Sequence, residues 1–533
     1  MNRFFFGKAF VAFLAGALIT LFASGASAVS AKSKFSQDEL AYMPAVQLIE
    51  LFQKGETTPS EVLEAQISRV KKYNGEYNVS RRDLLNELDT FNAGKINAIT
   101  FDNFEEARKL AKEADERYRK GTARRLEGIT VGIKDENEVK GWRVDCASLL
   151  LKDREPSAAD GAMIQSLRKE GAIFVFQTTV PEQYLSPMTW SRLYGVTRNP
   201  WNLYYGTGGS SGGSGAALAA GFCTLATGSD MGGSIRIPSA MNGLYGFKPP
   251  FGRVPTSENT YETLGPMART FADMALMQDV IAGPSPEVHS SIRPKLDYPQ
   301  KYAPIRGQKV AVAYFKNWLP GGLSRESDHA MDTIVAALEK AGAQVERIEE
   351  PDIDAESSMP IYFKGLMSTS MYAIFDGLDK HRDLFSSYVK NLETYAGKLT
   401  PQDQVNAEMG LGELHRDVQK KVFEKGCIAL IMPTLATPHF PADLEATPDK
   451  AAQVNGKTYS STYLILTPIW NLASRYPVVD MPVELSDKNV PVGVQIVGNT
   501  YDDLHAFRVA YALSKVIPPL YQDGRFPDFR NVK

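Results

Sequence analysis

Two clusters of small residues, Gly208-Gly209-Ser210-Ser211-Gly212-Gly213 and Gly232-Gly233-Ser234, hold the hydroxyls of this chain best suited to acyl-transfer chemistry. Glycine lets backbone N–H groups approach a ligand and adopt positive φ, at an entropic cost, so two such clusters in one stretch need a reason. A serine set among exposed backbone donors suits attack on a carbonyl, because the donors can hold the oxygen that becomes negative. A flexible Gly/Ser linker is the bland alternative. The neighbours argue against a linker. Ala216-Ala217-Leu218-Ala219-Ala220 lies between the clusters, as a small-residue helix or a buried strand, and the stretch ends in Ile235-Arg236-Ile237-Pro238. Residues 206–238 are therefore the candidate active site.

Three hydroxyl chemistries compete for it. Gly209-Ser210-Ser211-Gly212-Gly213 satisfies G-x-S-x-G, with Ser211 as the nucleophile of an α/β-hydrolase elbow. That template needs a downstream acid and a histidine. Of His289, His329, His381, His415, His439 and His505, only His439, after Thr437-Pro438, lies near an expected strand end. A phosphate cradle fails, since no Gly-Lys-Ser/Thr follows the loop. The third option involves Lys134, which directly follows the apolar Val131-Gly132-Ile133. Lysines usually avoid such burial. An amine removed from water is disfavoured in its charged form, a neutral amine is a base, and Ser–Lys pairs are a recognised alternative to Ser–His. A plain ion pair with Asp135 is the structural alternative, and from those two residues alone it is favoured.

The elements that must position these residues read as an α/β chain. Ile129 to Ile133, Ala172 to Phe176, Lys309 to Tyr314, Gln344 to Ile348, Ala429 to Thr434, Val478 to Glu484 and Val492 to Gly498 are short apolar runs, read as strands. Helical spacing recurs over 103–120, 161–170, 270–281, 327–341 and 503–515, and Thr58-Pro59-Ser60-Glu61 opens a helix with a capping box. Alternation of helix with continuous apolar strand predicts one large domain, a sheet covered by helices on both faces. Residues 75–95 read as a surface insertion and 352–470 as a variable, largely helical, aromatic-rich region on the substrate side (Tyr362, Phe363, Tyr372, Phe375, Tyr388). The 533 residues are 43% hydrophobic and 23% charged with a net charge of −3, an ordinary globular composition without a basic face for nucleic acid.

Arg3 and Lys8, the apolar run Ala9 to Ala23, and Ala26-Ser27-Ala28 have the order of a signal peptide. The run falls short of the ~20 apolar residues of a membrane span. The expectation is a cleavable segment 1–28, cut after Ala28, an exported, periplasmic protein over 29–533, and no membrane span once cut. Cys146, Cys223 and Cys427 are odd in number and lack metal spacing, so they read as buried apolar thiols.

Residues 206–253 resemble the amidase signature family, whose hallmark Gly-Gly-Ser-Ser-Gly-Gly-Ser stands at Gly208–Ser214 and whose Gly-Ser-Asp-x-Gly-Gly-Ser-Ile-Arg-x-Pro stands at Gly228–Pro238. The similarity continues through Val131–Asp135, Tyr194–Asn202, Gly246–Pro249, Gly252–Val254, Gly265–Thr270, Met432–Thr434 and Pro491–Gln495. It implies a large mixed sheet in one domain and a Ser–cis-Ser–Lys triad: Ser234 as nucleophile, Ser210 as bridging serine, Lys134 as base. It implies an oxyanion hole from the N–H groups of Met231, Gly232, Gly233 and Ser234. Ser211 becomes a hydrogen-bonding neighbour, and Asp230 and Arg236 hold the loop. The activity implied is hydrolysis of a small-molecule carboxamide through an acyl-serine, without metal or cofactor and without nucleic acid, with room for a homodimer. Met231 stands where Thr is usual, Thr130 where Pro is, Val144 and Ala147 where Thr and Gly are, and Tyr204 to Thr207 are atypical. These departures bear on pocket shape. The aromatic 355–470 segment would suit an aryl or fatty acyl group. Two alternatives stay open: an esterase using Ser211 and His439, and a catalytically silent binding protein on the same fold. Export weighs against an amidotransferase component that works on charged tRNA.

Overall fold

Among the described residues, eleven strands form one mixed sheet: β1 Ile99–Asp102, β2 Thr130–Lys134, β3 Ile173–Thr178, β4 Leu225–Asp230, β5 Tyr245–Lys248, β6 Thr263–Ala268, β7 Lys309–Val312, β8 Gln344–Arg347, β9 Cys427–Pro433, β10 Val478–Leu485 and β11 Pro491–Val497. Across the sheet they lie in the order β1-β3-β2-β4-β6-β5-β10-β11-β9-β7-β8. The structure is a computed structural model and describes residues 34–77, 94–256, 259–351, 353–356, 359–361, 363–365, 367–368, 379–442 and 451–533. The signal segment 1–28, most of the insertion 75–95, and Tyr362, Tyr372 and Phe375 lie outside the described residues.

Strand alternation explains why both faces are covered. Along β3, Ile173 and Val175 enter one apolar cluster and Phe174 the opposite one. The first face is closed by Ala216 to Ala220 and Trp201, the second by Phe271, Met274, Phe507 and Val509 from helices Phe271–Ile281 and Asp503–Ser514. Each fully buried side chain of this size contributes about 1.5–3 kcal/mol relative to exposure, so the two clusters hold the sheet from both sides.

The pairing pattern also aims the site. β2 is parallel to both β3 and β4, with Lys134 opposite Thr178 and Gly132 opposite Ala226. Parallel neighbours end at one edge, so Lys134 and Asp230 finish β2 and β4 on the same side, where ligands of open α/β sheets bind. The alanine run between the glycine clusters is a helix, Gly212–Ala219, and every residue of it is buried. Its small residues have a packing reason, since a Cβ on Gly213 would lie 2.4 Å from the Thr179 backbone nitrogen.

The 352–470 region is less uniformly helical than its sequence suggests. Helices Ser387–Ala396 and Pro401–Val418 are present, β9 joins the sheet where the run Ala429 to Thr434 predicts a strand, and Ala451–Val454 pairs with Lys457–Ser460 as an unexpected hairpin. The capping box at Thr58 is formed, with Thr58 Oγ1 accepting from the Glu61 N–H at 3.2 Å and Glu61 Oε2 accepting from the Thr58 N–H at 3.1 Å.

Candidate active site

Lys134 ends β2 with its side chain fully buried. Its Nζ lies 2.8 Å from Ser210 Oγ, 2.7 Å from Ser229 Oγ and 2.7 Å from Glu136 Oε2, and 5.2 Å from the centre of the Tyr184 ring. The backbone is pinned as well, because the Lys134 N–H donates to Thr227 Oγ1 at 2.9 Å. Asp135, the favoured partner from the two residues alone, turns away: its carboxylate accepts the N–H groups of Asp145 and Ala147 at 3.2 Å each. Burial, with Asp145 alongside, pushes the Asp135 carboxyl well above its usual range. The lysine ion pair is therefore with Glu136.

Ser210 follows a cis peptide bond from Gly209. Next to it, the Ser211 N–H donates to the Ser234 carbonyl at 3.2 Å, so the first glycine loop is stitched to the second. Ser211 is wholly buried, and its hydroxyl lies 3.4 Å from both the backbone N and O of Ser229. A hydroxyl so enclosed joins two loops and has no path to a substrate. The elbow partner fails too. His439 Nε2 is bonded to Ser486 Oγ at 2.9 Å and lies 3.9 Å from Asp487. Burial holds this imidazole below its usual range despite Glu326 and Asp487 nearby. His439→Ala is accordingly expected to leave initial rates within about twofold of wild type, since substitutions away from special sites act by less than about 0.5 kcal/mol. A near-total loss of activity in folded protein would reinstate the elbow.

The loop after β4 carries Ser234, half-exposed, with no side-chain hydrogen bond among the described residues. Asp230 organises it: its Oδ1 accepts the Gly233 N–H at 2.9 Å, and its Oδ2 accepts the Ile235 and Arg236 N–H groups at 3.2 and 3.4 Å. Of the expected oxyanion-hole donors, the Gly233 N–H is directed into the loop. The N–H groups of Gly232 and Ser234 carry no such partner among the described residues. Thr467 Oγ1 donates to the Gly232 carbonyl at 2.7 Å, which holds that peptide from its oxygen side. Gly233 has φ +117°, and a Cβ there would stand 2.0 Å from Thr467 Oγ1, so the position needs glycine.

Behind the loop, Arg236 and Asp230 form a fully buried fork, Nε to Oδ2 at 2.9 Å and Nη2 to Oδ1 at 2.8 Å. Arg236 also donates to Thr467 O, Gln495 Oε1 and Asn471 Oδ1 at 2.9, 2.6 and 2.7 Å. Burial would raise the Asp230 carboxyl, but the Arg236 charge and hydrogen bonds from Arg236 and Asn471 outweigh it and hold the group below its usual range. The three cysteines are free and buried. Burial pushes the Cys223 thiol up to about 12 and Cys146 higher, the reverse of an activated nucleophile.

The amidase family model matches residues 82–506 of the chain. The chain belongs to the amidase signature family. Among curated relatives, it is 32% identical over 459 residues to the glutamyl-tRNA(Gln) amidotransferase A subunit of Saccharolobus solfataricus, covering 80% of this chain and 91% of that protein. The corresponding protein of Geobacillus thermodenitrificans is 31% identical over 452 residues, covering 79% and 90%. Among solved structures, a bacterial aryl acylamidase of the amidase signature family superposes with a TM-score of 0.75 at 25% identity, covering 89% of this chain and 96% of that one. Membership makes this an enzyme class acting on amide C–N bonds, on a large mixed sheet in a single domain. Sequence reading did not single out Ser229, Glu136, Thr467, Asn471 or Gln495. Ser229 sits inside the Gly-Ser-Asp motif and Gln495 closes the matching stretch Pro491–Gln495, so both could have been found there; Glu136, Thr467 and Asn471 lie outside the matching stretches.

Proposed function

We propose that the protein hydrolyses a carboxamide through a covalent acyl-Ser234 intermediate, releasing ammonia or an amine and then a carboxylic acid. The observation that carries this reading is the 2.8 Å contact of a buried Lys134 Nζ with Ser210 Oγ, on a loop bonded to the Ser234 backbone. Ser234 Oγ attacks the carbonyl carbon while its proton passes to Ser210, and Ser210 gives its own proton to unprotonated Lys134. The N–H groups of Gly232 and Ser234 receive the oxygen that becomes negative, with Met231 N–H as a third donor. As the tetrahedral intermediate collapses, the C–N bond breaks and the relay returns a proton to the leaving nitrogen. Water then attacks the acyl-serine along the same route. No step calls for a metal or cofactor.

An aryl or long acyl group is the substrate side we favour. Met231, on the nucleophile loop, packs against an apolar cluster with Trp190, Phe385 and Tyr388 at its core and Phe363 and Tyr395 at its border. Tyr388 itself is core, edge-on to Trp190 at 5.5 Å, so the bordering aromatics are the ones available to a ligand. Export after cleavage at Ala28 remains part of this proposal, and the mature N-terminus would then be Val29. The curated relatives support a second reading, a component that releases ammonia for transfer, and turnover of glutamine but not of aryl or long-chain amides would favour it.

A fluorophosphonate probe tests the nucleophile. It is expected to label the folded wild-type protein on Ser234, found by peptide mass mapping, and to lose that label in Ser234→Ala. Absence of labelling in folded wild type would sink the enzyme reading. A panel of primary, aryl and long-chain amides then places the substrate.

A further inference from the structure

Glu136 has no role in the relay just described, yet it touches the base. Its Oε2 lies 2.7 Å from Lys134 Nζ and accepts from Ser229 Oγ at 2.5 Å. It is mostly buried and also hydrogen-bonded with Glu262, the residue before β6. The donor count at Nζ is informative. A neutral amine has one lone pair and two N–H groups. With the lone pair taking the Ser210 proton, the two N–H groups have two acceptors in place, Ser229 Oγ and Glu136 Oε2. Once the proton has moved, the resulting ammonium has three donors for the same three oxygens. No side chain has to rearrange at that step.

We propose that Glu136 is a positioning residue for the base: it fixes the orientation of the unprotonated Lys134 amine and stabilises the ammonium that forms as Ser234 attacks. The role is that of the carboxylate behind the histidine of a serine-protease triad. The inference rests on the amide-hydrolysis reading above. Other groups facing the amine do not supply this charge. Asp135 is committed to the Asp145 and Ala147 amides, and Asp145 to the Tyr194 hydroxyl. Thr178 and Thr227, from the flanking strands, are uncharged. Tyr184 offers a ring face, and its hydroxyl donates to Cys146 Sγ at 2.9 Å. Arg236 and Asp230 neutralise each other behind the next loop. Burial would raise the Glu136 carboxyl, but the Lys134 charge and hydrogen bonds from Glu262, Lys134 and Ser229 prevail and hold it low, so it is the ionised partner.

The arrangement has two opposed consequences. An opposite charge in contact favours the charged form of an amine, and it makes an unprotonated amine a stronger proton acceptor. Removing the charge should therefore move the rising, acidic limb of the rate profile to lower pH while lowering the plateau. A role in shape alone would lower the rate at every pH and leave the limb in place.

The experiment measures the second-order rate of fluorophosphonate labelling of Ser234 against pH, for wild type, Glu136→Gln and Glu136→Ala, each checked for cooperative melting. Either neutral variant suffices if the other does not fold. The expected result is a limb shifted down by about one pH unit or more, as for loss of an opposite charge within contact, and a plateau about tenfold lower. Glu136→Asp, which keeps the charge, should return the limb towards wild type. A folded neutral variant with the wild-type limb overturns the inference and leaves the amidase reading standing. Unlabelled wild type would overturn both.

Discussion

Lys134→Ala is expected to abolish amide turnover at neutral pH, with kcat/KM falling by about 10²–10⁴-fold, the usual contribution of a positioned general base. The size follows from the isolation of the relay. Among the described residues, Ser210 Oγ has Lys134 Nζ as its hydrogen-bond partner and no other side chain. With the alanine, Ser210 Oγ keeps no hydrogen-bonded base among the described residues. An activated ester needs less help with its leaving group than an amide does. Residual ester cleavage should therefore survive and rise steeply with pH as hydroxide substitutes for the amine. Glu136 loses a partner in this variant: the Lys134 charge is the largest influence holding its carboxyl low against burial, and the hydrogen bonds from Glu262 and Ser229 remain. Circular dichroism with thermal melting checks that the variant is folded. Full amidase rate at neutral pH in the folded variant would refute Lys134 as the base.

The pairing of Lys134 with Glu136 marks where sequence reading stops. The α/β class, β2, β3 and the late strands were legible because their apolar runs are continuous, and the motif at 206–238 pointed to the loop serines. β4, β5 and β6 were not read as strands, since Gly228, Gly246, Gly265 and Pro266 interrupt their apolar pattern. The glycines have a packing reason, as a Cβ on Gly246 would meet Ser239 Oγ at 2.2 Å and one on Gly265 the Phe247 carbonyl at 2.2 Å. The short β1 was also missed, because four residues next to an expected insertion carry little periodicity. In the site, Ser211 matched a hydrolase pattern that only burial could reject. The hydrogen-bond partners that hold Arg236 and Asp230, among them Gln495, which accepts from Arg236, and Asn471, which donates to Asp230, lie more than two hundred residues away in sequence, so no local spacing announces them.

That long-range network carries the largest stability prediction. Arg236→Ala is expected to destabilise the fold by about 3–5 kcal/mol at neutral pH, because it strands a buried carboxylate. Asp230 keeps three backbone donors and Asn471, but loses both guanidinium contacts, and Thr467 O, Gln495 and Asn471 lose theirs. The pH dependence has a definite sign. In wild type the Asp230 carboxyl lies below its usual value, so it stabilises the fold above the unfolded carboxyl's titration and loses that contribution as pH falls through its own. In Arg236→Ala the opposing influence of burial is unbalanced, the folded carboxyl rises, and protonation relieves the buried charge. The gap between wild type and variant should therefore narrow as pH falls from about 7 towards about 4, the unfolded aspartate range. Urea unfolding at those two pH values measures it. A double variant, Asp230→Asn with Arg236→Met, should be less destabilised than Arg236→Ala at neutral pH, since no uncompensated charge remains. A single-variant loss below about 1 kcal/mol, or a gap independent of pH, would show that the pair does not hold the loop. The kinetic consequence follows from the same contacts. Asp230 gathers the Gly233, Ile235 and Arg236 amides around Ser234, so a loosened Asp230 should slow fluorophosphonate labelling even under conditions where the variant remains folded.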